Sequence, residues 1–194
     1  GLRINSARDD AAGLAIATRM SSEVRGTEVA KRNTNDGISA LQIADGALAS
    51  ITDNVQRMRE LAVQSATGTL TTTDRANLSA EFDLLSAQIT EVAADTKFNS
   101  VALLSGANAN LTIQTGSNSG DTTAVTLVNA TAIATTIDGA ALTDAGTSAT
   151  AIQTLDDQLT LLNTGRATLG AGINRLDAVV ANLDTTVTNV SAAR

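Results

Sequence analysis

From Ile152 onward the chain repeats one pattern. Ile152, Leu155, Leu159, Leu162, Arg166, Leu169, Ile173, Leu176, Val180, Leu183, Val187 and Val190 follow one another in alternating steps of three and four. Only Arg166 breaks the apolar content. This is the a/d seam of a coiled-coil-like helix. At ~1.5 Å per residue it runs for roughly 57 Å. A seam of that kind is not stable alone in water and demands partner helices.

A partner lies upstream. Leu41, Ala44, Leu48, Ile51, Val55, Met58 and Ala62 repeat the same alternation. The pattern weakens before Gly37, where Val24, Met20 and Ile16 suggest a shifted face. Gly13, Gly26, Gly37 and Gly46 each cost about 1 kcal/mol against Ala in a helix interior, so they mark either breaks or close backbone approach. The spacing predicts one long helix from about Ala11 to Ala66. Thr67 and Gly68 open a turn, and the run Thr71–Asp74 supplies an N-cap with an early acidic residue. Leu78, Phe82, Leu85, Ile89 and Val92 then form a third stripe that ends near Asp95.

Beyond Lys97 the period changes. Leu111, Ile113 and Thr115 alternate with polar residues, Gly116–Asp121 turns, and Ala124–Val128 follows, which predicts a β-hairpin. Residues 129–150 are rich in Thr, Ala and Gly and read as loops with another short strand. The fold class is therefore mainly α with a small β region: an elongated antiparallel helical bundle carrying a β-hairpin. Its parts are an N-terminal helical portion (1–96), the hairpin and loop region (97–150), and a C-terminal long helix of the same core (151–194).

Composition sharpens this picture. There is no Pro, which removes the commonest obstacle to very long helices. Phe82 and Phe98 are the only aromatic residues, so small aliphatic side chains must do the packing. His and Cys are absent, which excludes a thiol nucleophile, a disulfide, a Cys/His zinc site and a Ser-His-Asp triad. The formal charge of −7 disfavours nucleic acid as a partner. No apolar run reaches the ~20 residues of a membrane span, so membrane insertion is not expected. No cofactor is implied.

Several blocks resemble the bacterial flagellins. Gly1-Leu-Arg-Ile-Asn-Ser-Ala-Arg-Asp-Asp-Ala-Ala-Gly-Leu-Ala-Ile-Ala17 is similar to their N-terminal signature. Arg32–Ser39 and Gln56–Gln64 match the next two blocks, and Lys97–Asn99 with Ile113–Gly116 resemble the start of their β region. Leu169–Arg194 resembles the C-terminal helix, including Gly170–Leu176. Residues 129–150 stay unmatched. The resemblance implies a self-assembling structural subunit of the flagellar filament, not an enzyme. It implies the tube-wall domain, with both terminal coiled-coil segments missing. It further implies an extracellular location reached without a cleaved signal peptide. The partners it implies are other flagellin subunits, an export chaperone and a filament cap.

The resemblance also singles out a surface. Around Gln56–Gln64, the seam residues Val55, Met58 and Ala62 point inward. Arg57, Leu61 and Gln64 then form an outward stripe with an exposed Leu. By itself this reads as a solvated helix face with one stray apolar residue. In flagellins the block takes part in subunit packing and is read by the vertebrate Toll-like receptor that senses flagellin. Carried residue by residue, the implied positions are Gln56, Arg57, Leu61, Gln64 and, on the second helix, Glu81. Leu84 and Leu85 stand where polar or basic residues are common in receptor-activating members.

Other features carry less. Arg166 either fixes helix register as a partly buried charge or pairs with an acid of a neighbouring subunit; the first is preferred. Asp9-Asp10 reads as a dipole partner near a helix start rather than a metal pair. The Thr/Ser-rich stretch Thr115–Thr150 reads as low-complexity loop ahead of O-glycosylation, and Asn129-Ala130-Thr131 fits the N-glycosylation pattern. Two further functions compete: a hook–filament junction protein, and a flagellin-like surface protein that binds polysaccharide.

Overall fold

The computed structural model describes residues 11–193, so the Asp9-Asp10 pair and most of the N-terminal signature lie outside it. The element order is α1 (Ala11–Ser65), α2 (Thr72–Asp95), β1 (Lys97–Phe98), β2 (Val101–Ala102), β3 (Asn110–Gln114), β4 (Thr122–Thr126), α3 (Ala130–Asp138) and α4 (Ala145–Ala193). The mainly helical architecture with a β-hairpin is the one the periodicity predicts. The strands form two separate two-stranded sheets, β1 with β2 and β3 with β4.

α1 is one uninterrupted helix because its buried stripe never breaks. Val24, Thr27, Ala30, Thr34 and Gly37 continue the stripe of Leu41, Ala44, Leu48, Ile51, Val55, Met58 and Ala62 in steps of three and four. The shifted face expected before Gly37 is therefore not present: Ile16 is exposed, and the seam is carried by small and hydroxylic residues instead. Thr34 sits there without an unmet polar group, since its Oγ1 donates to Ala30 O at 2.7 Å.

The turn after α1 is closed by one side chain. Arg75 donates from Nε to Ser65 O (3.0 Å), from Nη1 to Leu70 O (3.2 Å) and from Nη2 to Thr67 O (2.6 Å). It thereby satisfies the last carbonyl of α1 and two carbonyls of the turn. α2 starts with a capping box: Asp74 N donates to Thr71 Oγ1 and Thr71 N donates to Asp74 Oδ2. These bonds hold the Asp74 carboxyl below its ordinary range.

Residues 129–150 depart from the expected loop. Asn129 accepts from Ala132 N and starts α3, whose Ala130, Ile133, Ala134 and Ile137 are buried. Asp144 then caps α4: Thr147 N donates to its Oδ1 at 2.7 Å, and Asp144 N donates to Thr147 Oγ1 at 3.1 Å. α4 thus begins at Ala145, ahead of the seam. Along it Leu155, Leu162, Leu169, Leu176 and Leu183 are buried at every seventh position, while Ile152, Leu159, Ile173, Val180 and Val187 are half-buried.

The chain divides into two compact units. The first gathers α1 up to Ser39, the hairpin segment Thr112–Ala124 and α4 from Ile173. In it α1 and α4 run antiparallel, with Lys31 paired to Asp184. Gly37 explains its own presence there: a Cβ would stand 2.9 Å from Ile113 of β3. The second unit comprises Ala40–Leu111 and Val125–Gly172. Its core is built from Leu41, Leu48, Met58, Phe82, Ile89, Leu104, Ile137 and Leu155. Here too α1 and α4 are antiparallel: Arg166 Nε donates to Asp45 Oδ1 at 2.9 Å, and Arg59 Nε to Asp156 Oδ1 at 2.6 Å. Arg166 therefore finds its acid within its own chain. Ser148 Oγ donates to Ser65 Oγ at 2.8 Å, joining the same two helices through buried hydroxyls.

Candidate interface on the second half of α1

The residues singled out by resemblance all fall in the second unit, on α1 and α2. Gln56, Arg57, Gln64 and Glu81 are exposed. Leu61 is not: only 1% of it is accessible. The expectation of an exposed Leu fails because it treats α1 as packing along a single seam. α2 covers the flank on which Arg57 and Leu61 lie, so the buried face is wider there and takes in both Leu61 and Ala62. The exposed apolar residue of this stretch is Val63.

Arg57 marks where α2 crosses. Its Nε donates to Glu81 Oε1 at 2.9 Å and its Nη2 to Glu81 Oε2 at 3.2 Å, a two-pronged pairing. Nη1 donates to Glu60 Oε2 at 3.0 Å, three residues along α1. The guanidinium pKa is raised, first by the hydrogen bond to Glu81 and then by that to Glu60. All three side chains are about half-exposed or more, so solvent screening keeps the stabilisation from this cluster small. What it supplies is position. Two carboxylates hold the planar cation at the α1–α2 junction, and fewer rotamers remain to be ordered by anything that docks there.

Gln56 and Gln64 flank this clamp on α1. Their carboxamides have no hydrogen-bond partner among the described residues, so each offers a donor and an acceptor to solvent or to a second molecule. Leu84, on α2 one turn beyond Glu81, is 74% exposed and extends the surface with a large apolar group. The pairing of Arg57 with Glu81 is not legible from spacing, because 24 positions separate them.

Known proteins resemble this chain in sequence and fold. Residues 1–109 match the bacterial flagellin N-terminal helical region, and residues 152–194 match the bacterial flagellin C-terminal helical region. A flagellin of Halalkalibacterium halodurans is 43% identical over 195 residues, covering 100% of this chain and 72% of that protein. A flagellin of Listeria monocytogenes is 38% identical over 200 residues, covering 95% of this chain and 70% of its own length. Among solved structures, the crystal structure of Bacillus cereus flagellin has a TM-score of 0.70 at 36% identity and covers 84% of this chain and 95% of that one. A putative flagellar hook-associated protein from Vibrio parahaemolyticus shares the fold, with a TM-score of 0.78 at 14% identity over 97% of this chain and 98% of that one. With both helical ends matched and the whole length aligned, the chain belongs to the bacterial flagellin family, the structural subunits that assemble with one another into the extracellular filament of the flagellum.

Proposed function

We propose that, within the filament-forming role, the exposed face made by Gln56, Arg57, Gln64 and Glu81 is the surface where this chain meets other molecules. It serves subunit packing in the filament and recognition by the vertebrate Toll-like flagellin receptor. Leu61 belongs to this surface indirectly, as the buried support beneath it. One observation carries the reading: two glutamine carboxamides with no partner among the described residues flank a guanidinium already oriented by Glu60 and Glu81. Polar groups fixed in advance lose less freedom on docking. Following the family, delivery to the filament involves an export chaperone and a filament cap, without removal of a leader.

The test uses full-length flagellin containing this chain. Gln56→Ala, Gln64→Ala and Arg57→Ala are compared with the parent in a receptor reporter assay and in filament sedimentation. About a tenfold rise in the half-maximal dose is expected for Arg57→Ala, with slower filament growth. If all three variants stay folded by circular dichroism and match the parent in both assays, the face is only a solvated helix surface.

A further inference from the structure

In the second unit a cleft of about 460 Å³ opens between the end of β4, α3 and the first half of α4. Its walls are aliphatic: Leu127, Val128, Ile133 and Leu161 line it, the last 54% exposed at the mouth. Gly165 shapes the floor, since any Cβ there would run into Val128. Among the described residues, no charged and no aromatic side chain lines the cleft. Polar groups around it are mostly engaged. Asn129 caps α3, Thr136 Oγ1 donates to Ala132 O, and Thr168 Oγ1 donates to Thr164 O.

Two lining side chains, Thr164 and Gln158, have no hydrogen-bond partner among the described residues, and the buried one is Gln158. It lines the cleft, it is more than nine-tenths buried, and its carboxamide has no hydrogen-bond partner among the described residues. Its polar atoms are not sealed in the core either, so the cleft is where they are reached. A neighbouring glutamine shows the contrast: Gln153, on the same helix, donates to Asp157. With its polar atoms open to solvent in the cleft, the carboxamide keeps a donor and an acceptor available, and a bound donor–acceptor pair would take the place of water there.

We propose that this cleft is a binding site for a neutral aliphatic ligand bearing one secondary amide. Each part of that description follows from the lining. An amide N–H and C=O answer the carbonyl and NH₂ of Gln158 in a paired arrangement. The methyl-rich walls take the aliphatic part. With no Lys, Arg, Asp or Glu present, a charged group would enter without compensation. With no aromatic face, sugars and rings gain no stacking. The volume lies in the range of small-molecule sites.

N-hexylacetamide is the probe, titrated into this chain while methyl resonances and the Gln158 side-chain NH₂ are followed by NMR. Saturable shifts are expected at Leu127, Val128, Ile133, Leu161 and the Gln158 amide. Hexanoate should bind at least about tenfold more weakly. Gln158→Leu, checked for unchanged helicity, should lose about tenfold in affinity. Leu161→Lys, at an exposed position that does not threaten the fold, should lose binding as well. The proposal is overturned by the absence of saturable shifts up to the probe's solubility. It is equally overturned if Gln158→Leu binds like the parent. Cleft shifts that follow protein concentration without any probe would mean that a second copy fills the cleft, and would overturn it too.

Discussion

Replacing Leu61 by Ala separates two readings of the segment that the family resemblance points to. If Leu61 stood outward with Arg57 and Gln64, its truncation would change stability by no more than about 0.5 kcal/mol. The structure buries it to 1% exposure beneath the α1–α2 junction. Truncation removes about three carbons, worth about 0.8 kcal/mol each on transfer, or roughly 2.4 kcal/mol. The cavity left behind raises the total to about 3–4 kcal/mol. The chain has no Trp or Tyr, so urea unfolding is best followed by far-ultraviolet circular dichroism. With a slope of roughly 2.5 kcal/mol per molar, the midpoint should fall by about 1.2–1.6 M. Val63, 48% exposed two residues along, is the control, and Val63→Ala should move the midpoint by less than about 0.2 M. Equal shifts for the two variants would refute the burial argument. A further consequence concerns function: any loss of recognition in Leu61→Ala should be recovered by Leu61→Met, which refills the volume without restoring the same surface shape.

Three other expectations can be checked by thermal or chemical melts. A Cβ on Gly46 would meet nothing within 4 Å, whereas a Cβ on Gly172 would lie 2.6 Å from Val125. Gly46→Ala should therefore stabilise by about 1 kcal/mol and Gly172→Ala should destabilise by about 1–3 kcal/mol; the same sign for both would contradict the packing described. Asn99 and Ser100 turn the β1–β2 hairpin with φ of 49° and 66°. Ser100→Gly relieves a left-handed conformation and should raise stability by about 0.5–1 kcal/mol, visible as a higher melting temperature. Asp74 and Asp144 have carboxyl pKa values lowered by cap hydrogen bonds, first from Thr71 and Thr147 backbone N–H groups respectively. Their contribution is complete above the ordinary carboxylate range and disappears as pH falls through the lowered values. An Asp74→Asn, Asp144→Asn double variant should lose less stability than the parent between about pH 5 and about pH 2; identical acid sensitivity would remove the caps as its cause.

How much of this can be read in advance depends on whether the signal is local. The end of α1 and the start of α2 follow from the heptad stripe and the Thr71-x-x-Asp74 box, both contained within a few turns. α3 is hidden although Ala130, Ile133, Ala134 and Ile137 have helical spacing, because the Thr residues between them are weak helix formers. The start of α4 is hidden for a related reason. Asp144 and Thr147 cap it with a hydroxyl where a Glu or Gln is the familiar sign, and Gly146 lowers the apparent propensity. Leu61 is misplaced by periodicity because one seam cannot reveal a second neighbour. Arg166 is readable as an anomaly, but its partner Asp45 lies 121 positions away. Gln158 gives no warning at all: it sits off the apolar seam, and only three-dimensional packing shows that a mostly buried side chain presents its unpaired amide to a cleft.

The charges between α1 and α4 have a meaning that their individual strengths conceal. Asp45–Arg166 and Arg59–Asp156 are exposed by a third or more, so solvent screens both pairs and neither adds much to stability. A leucine at every seventh position is degenerate, because sliding the helix by whole heptads buries equivalent side chains again. Along α1, however, Lys31, Asp45 and Arg59 stand two heptads apart with alternating sign. A slip of that length in the second unit would bring Arg166 against Arg59 instead of Asp45. The apolar seam supplies adhesion and the alternating charges supply a parity check: a two-heptad error that greasy contacts would tolerate forfeits the attractive pair and sets like charges together, a small bias against the wrong register. In a subunit built to repeat along a filament, such a bias helps keep every copy identical, which lattice regularity requires.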